Sequence, residues 1–183
     1  MLKYFYGLLI SVIGFFTWNE NPTDELAYTY IDQYKEIAIV EMHRTGIPAS
    51  ITLAQALHES GLGNSRLAVY AKNHFGIKCK SYWQGKTFQH KDDDFDKKGN
   101  LMNSCFRAYD TVIDSYVDHS NFLTQSARYS ELFDFDKTDY KRWAYGLKKC
   151  NYATDLQYAF KLIDKIERYN LQAYDYSPNP LLR

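Results

Sequence analysis

The chain has 183 residues, 45% of them hydrophobic and 24% charged, with 22 Lys and Arg balanced by 22 Asp and Glu. That length suits one globular domain of ordinary core size and excludes two large ones. A formal net charge of zero, with no basic stripe, argues against nucleic acid as a partner; the 17 tyrosines supply flat apolar faces with a hydroxyl, which serve sugar binding as well as packing.

Lys3 precedes an apolar run from Leu8 to Phe16, closer in length to a signal-peptide core than to a membrane span. Residues 1–20 therefore read as a signal peptide or, because Phe15, Phe16 and Trp18 leave no small-x-small cleavage site, as an uncleaved membrane anchor. Either route exports the protein to the periplasm, the cell envelope or the extracellular space, and any membrane contact is through that anchor.

Ile31, Tyr34, Ile37, Ala38 and Met42 recur at helical spacing and predict an amphipathic helix over residues 30–44, ended by Thr45-Gly46. A second helix follows at once. Pro48 suits its first turn, Gly61 suits the left-handed position past its end, and Ile51, Leu53, Ala54 and Leu57 form one broad apolar face. Glu59 falls in the last turn. The unpaired carbonyls there and partial burial both raise a carboxyl pKa, as a proton donor requires; the same position also suits a solvated glutamate at a helix end. His58 beside it reads as an ordinary helix residue.

Ser65 can cap a short helix over residues 66–71, before Asn73-His74-Phe75-Gly76-Ile77-Lys78 turns the chain into an extended region. From Gly76 to Tyr109 the helical period is absent. Residues 83–88 and 104–109 read as strands, with 91–100 as an exposed, Asp-rich hairpin loop. Helices return over residues 112–123, capped by Asp110 or Thr111, over 139–148, and from Thr154 or Asp155 through Arg168. Pro178 and Pro180 then mark a loose tail.

Cys79 and Cys105 flank the Gly- and Asp-rich segment and are the better pair for a disulfide, which would restrain that segment and suit an oxidising compartment. Cys150 is then a buried or half-buried thiol; the alternative is three reduced cysteines. No CxxC or paired-histidine spacing suggests zinc.

The stretch from Ile47 to Ser65 resembles the catalytic-acid helix of the glucosaminidases of glycoside hydrolase family 73, which include the flagellar rod-associated muralytic domain. Three further stretches agree in order. Asn73-His74-Phe75-Gly76-Ile77-Lys78 resembles the family's Asn-Leu-Phe-Gly-Ile-Lys turn, Cys105-Phe106-Arg107-Ala108-Tyr109-Asp110 its Phe-Arg-x-Tyr strand, and the segment from Gly146 to Tyr158 its Leu-x-x-x-Gly-Tyr-Ala-Thr-Asp-x-x-Tyr motif.

The resemblance implies an α+β, mostly helical, lysozyme-like fold with a small β lobe flanking the cleft. The glucosaminidase domain would span residues 21–172, with the lobe at about residues 76–109 and a tail at 173–183. It further implies a monomeric endo-β-N-acetylglucosaminidase that binds peptidoglycan glycan strands, cleaves the β-1,4 bond after N-acetylglucosamine and needs no cofactor.

Glu59 maps onto the general acid, and Asp94 onto the second carboxylate, with Asp93 the alternative and Asp92 close by. Aspartate there departs from the family's glutamate and is shorter. An inverting enzyme holds its two carboxyls about 6.5–9.5 Å apart, and direct nucleophilic retention needs about 5–5.5 Å. A third route uses the substrate's own N-acetyl group as nucleophile, and Tyr152 matches the family tyrosine that would polarise it. Asn151 stands where that motif has glycine and tolerates left-handed backbone.

Asn73, His74 and Phe75 are expected at the cleft floor and Tyr158 facing the cleft. Trp83 is expected either to stack on a sugar or to pack the lobe. A lytic transglycosylase using Glu59 alone, a glycan-binding module without hydrolysis, and a peptidase pairing Cys150 with His119 are the competing assignments.

Overall fold

Asn21 and Pro22 start the first helix well before an apolar stripe becomes visible. The computed structural model describes residues 21–95, 99 and 101–182, with backbone alone for residues 92–95. The apolar run read as an export signal lies outside them. Helix α1, Pro22–Thr45, opens with the Asn21 side chain accepting from the Thr23 amide at 3.1 Å, and its first turn carries Asp24 and Glu25. It begins about two turns ahead of the predicted start, because only Ala27 faces the core in those turns.

Helix α2, Ala49–Glu59, is the centre of the molecule. Pro48 caps it from just outside rather than sitting in its first turn, and Gly61 takes the left-handed conformation past its end at φ 56°. Every residue from Ala49 to Leu57 is buried, so the helix is enclosed on all sides and not on one face only. Its polar members are hydrogen-bonded, except that Gln55 Oε1 has no partner among the described residues. Ser50 bonds Asp175, Thr52 bonds the Pro48 carbonyl and Gln55 bonds the Tyr158 hydroxyl.

Helix α3, Arg66–Ala71, is capped by the Ser65 hydroxyl. The lobe that follows is one antiparallel hairpin, β1 (Thr87–Phe95) and β2 (Leu101–Arg107). Strand β1 starts later than expected, since Trp83 lies in a turn, and then runs on through the aspartates assigned to a loop. A hairpin reaching into solvent needs no apolar alternation, so the charged run concealed the strand. Register holds from Thr87↔Arg107 to Lys91↔Asn103 and resumes at Phe95↔Leu101; the bulge between falls on residues 92–94.

Cys79 and Cys105 form the disulfide, with Cα atoms 5.3 Å apart, and Cys150 is a free, buried thiol. The bridge ties the extended stretch at Lys78 and Cys79 to β2, alongside a hydrogen bond from the Cys79 amide to the Cys105 carbonyl at 2.8 Å.

Helix α4, Val112–Thr124, carries a full capping box between Thr111 and Asp114. A 3-10 helix, Ala127–Asp134, leads to α5, Tyr140–Lys149, capped by Asp139. Helix α6, Tyr158–Arg168, starts later than expected because the Asp155 side chain accepts from the Gln157 amide in a turn of its own. Helices α1, α5 and α6 pack around α2. The residues read as a loose tail behave differently: a 3-10 helix, Leu171–Tyr176, packs on α2 and buries Asp175 to 1% exposure.

Candidate active site

Between the helical body and the hairpin lies a groove of about 540 Å³. Glu59 lines it from the end of α2; Phe75, Tyr129 and Tyr152 line it from the body; His90 and Phe106 line it from the lobe. Burial raises the Glu59 pKa to about 7, opposed by a hydrogen bond from the Tyr158 hydroxyl and by the charge of Lys165. Glu59 can thus hold a proton at neutral pH while facing an open groove, which is what protonation of a leaving oxygen demands.

The Tyr158 contact belongs to a relay that the sequence reading missed. Gln55, four residues before Glu59 and so on the same side of α2, donates from Nε2 to the Tyr158 hydroxyl at 2.9 Å. Tyr158 is buried and does not line the groove, so it approaches Glu59 from behind instead of facing the cleft. Its ring stacks on Tyr152 with centroids 5.6 Å apart. Tyr152 does line the groove, and burial together with the nearby charge of Glu59 raises its hydroxyl pKa well above the usual phenol value. Asn151 takes the left-handed conformation, φ 54°, that the glycine of the motif would supply.

The other expected site residues divide. Phe75 is on the groove wall, its ring 3.9 Å from and nearly parallel to the buried His119 ring. Asn73 and His74 are not available to a ligand. The Asn73 amide is consumed in the turn, donating to the carbonyls of Ile77 and Arg107 at 3.0 and 2.9 Å and accepting from the Ile77 amide at 3.1 Å. His74 is buried, with Nδ1 hydrogen-bonded to the Tyr30 hydroxyl at 2.6 Å and its pKa pushed down to about 4 by burial. Trp83 packs the lobe: its indole N–H donates to the Lys86 carbonyl, and the Arg107 guanidinium lies 4.6 Å over its ring. The side chains of Asp93 and Asp94 lie outside the described atoms; their backbone is in the bulged part of β1.

A Cys–His nucleophile has no support. His119 is fully buried against Phe75, whereas the Cys150 thiol donates to Glu131 Oε1 at 3.4 Å. Burial leads in raising the Cys150 pKa, with the Glu131 carboxylate adding to it. Among the described residues no His, Cys, Asp and Glu side chains cluster as a metal site. Groove residues that carried no sequence signal include Tyr129 and Arg128, because the 3-10 helix holding them has neither helical nor strand periodicity.

A helical body, a small antiparallel lobe and a groove between them bearing a buried carboxyl group define a lysozyme-like fold. Residues 35–171 match the Glucosaminidase family, described as mannosyl-glycoprotein endo-beta-N-acetylglucosaminidase, and the chain belongs to that family. Exo-glucosaminidase LytG of Bacillus subtilis is 32% identical over 158 residues, covering 84% of this chain and 55% of that protein. Peptidoglycan hydrolase FlgJ of Vibrio cholerae is 26% identical over 140 residues, covering 74% of this chain and 42% of that protein. The chain thus spans about half the length of the curated relatives it matches. The catalytic domain of the autolysin Auto from Listeria monocytogenes superposes with a TM-score of 0.72 at 29% identity, covering 81% of this chain and 87% of that one.

Proposed function

We propose that the protein is a peptidoglycan hydrolase, an endo-β-N-acetylglucosaminidase that cleaves the β-1,4 bond after N-acetylglucosamine, with Glu59 as general acid. The observation that carries this is the placement of Glu59, a carboxyl group on the wall of an open groove whose pKa burial raises to about 7. Its proton passes to the glycosidic oxygen as the C1–O bond breaks. Tyr152, on the groove wall and within the electrostatic reach of Glu59, supports a route in which the sugar's own acetamido oxygen closes on C1 and water then opens the ring. Asp94, on the bulged strand, is assigned the second carboxylate, stabilising positive charge that develops during that closure. The protein acts as an exported monomer; the Cys79–Cys105 disulfide supports an oxidising compartment. No helix among the described residues is long and apolar enough to cross a membrane.

Digestion of purified peptidoglycan by the wild type, Glu59→Gln and Asp94→Asn, with mass spectrometry of the new sugar ends, tests this assignment. Reducing N-acetylglucosamine ends are expected from the wild type, with the rate falling roughly 100-fold or more in Glu59→Gln. Anhydromuramic ends would assign a transglycosylase, and a folded wild type yielding no products would assign a binding module. Full activity in Glu59→Gln would remove the proposed acid.

A further inference from the structure

A second hollow opens off the groove. It encloses about 480 Å³ and shares Lys80, Phe122, Arg128 and Tyr129 with the first, while Glu59, Phe75 and Tyr152 line the first alone. Its charges are not balanced. Arg107 is already neutralised there, since its Nη1 donates to both carboxylate oxygens of Asp118 at 2.9 and 2.8 Å. Lys80 and Arg128, at the junction of the two hollows, are exposed and pair with no carboxylate among the described residues. The Arg128 guanidinium acts on the neutral Tyr129 hydroxyl, whose pKa it lowers against the larger effect of burial. In a chain whose formal net charge is zero, two unpaired cations at one cavity junction are a local excess.

We propose that this side hollow is a subsite for the acidic peptide branches of peptidoglycan, so that the groove selects glycan still carrying its peptides. This rests on the hydrolase assignment above. A linear polysaccharide needs one continuous groove, whereas a branched one needs a second limb leaving it beside the scissile bond. The peptide branches of cell-wall glycan bear free carboxylates, for which lysine and arginine are the complementary donors. Uncharged polymers with the same β-1,4 linkage, such as chitin oligomers, present nothing for Lys80 and Arg128 to bind.

The test compares initial rates on peptide-bearing glycan and on the same glycan stripped of peptides by an amidase, using the full chain. The wild type is expected to cut the peptide-bearing form about tenfold faster at low salt, with the preference shrinking as salt rises. In the Lys80→Gln/Arg128→Gln double variant the ratio of the two rates should approach one, while Lys80→Arg/Arg128→Lys, which keeps both charges, should retain the preference. A wild type that cuts both substrates equally overturns the peptide subsite and leaves the hydrolase assignment standing. Should neither substrate be cut, the hydrolase assignment fails, and titration with an N-acetylmuramyl tripeptide decides separately: binding that weakens in the double variant upholds the subsite, and no binding to the wild type overturns it.

Discussion

At Glu59 burial and hydrogen bonding pull in opposite directions, and burial wins: the pKa stands at about 7 against an ordinary 4.5. The folded value lies above the unfolded one. The group's contribution to stability is therefore complete below pH 4.5 and is lost as pH rises through about 7, an effect of at most roughly 3 kcal/mol. Glu59→Gln should accordingly melt close to the wild type near about pH 5 and several degrees above it near about pH 8, as thermal scans at the two pH values would show. Tyr158 bears on the reaction through Glu59, as a positioning residue. Because its hydroxyl lowers the Glu59 pKa, Tyr158→Phe should move the alkaline limb of the kcat/KM profile to higher pH; an unmoved limb would mean the contact has no part in the reaction. Glu59 could be picked out in the sequence because a helix with clear end signals places it. Tyr158 is legible through the family motif, but as a cleft residue; its contact with Glu59 is not, because only the folded helices bring these distant positions together.

The elements differ in how far local chemistry determines them. Helix α4 is bounded by Thr111 and Asp114 bonding each other's backbone, a signal complete within four residues, and its predicted and observed limits nearly coincide. The hairpin is the opposite case. Its pairing depends on register with a strand across the turn, and its charged outer half offers no apolar alternation, so β1 starts later and runs further than residues 83–88. The lobe packs on the body through a small cluster of its Phe106 with Leu67 and Ala71 of α3, so its order leans on the Cys79–Cys105 bridge, which spans a sequence separation of 26. Cys79→Ser/Cys105→Ser is expected to destabilise the protein by about 3 kcal/mol. Amide exchange should rise in β1 and β2 first, while the amides of the buried helix α2 stay protected; equal loss of protection everywhere would show that the lobe and body unfold as one.

The molecule as a whole is built around a helix whose two ends have different owners. The end carrying Glu59 opens into the groove, and the beginning is held by Asp175, whose carboxylate accepts from the Ser50 amide at 2.8 Å and the Ser50 hydroxyl at 2.7 Å. Pro48 offers no side chain for that purpose, so the cap comes from across the fold. Asp175→Ala should cost about 2 kcal/mol in a denaturant titration, and Asp175→Asn, which keeps one acceptor, should cost less. Burial raises the Asp175 pKa to about 6, so its contribution too is lost as pH rises through that value, and the wild type is expected to be more stable in mild acid than above neutrality. Nothing near Asp175 in the sequence announces this role; two prolines beyond it suggest a tail, and the long-range bond reverses that impression. The same bond sets an order of events during synthesis. Ser50 is made early, and its cap arrives 125 positions later, so the helix that presents Glu59 cannot be completed until nearly all of the described chain has emerged.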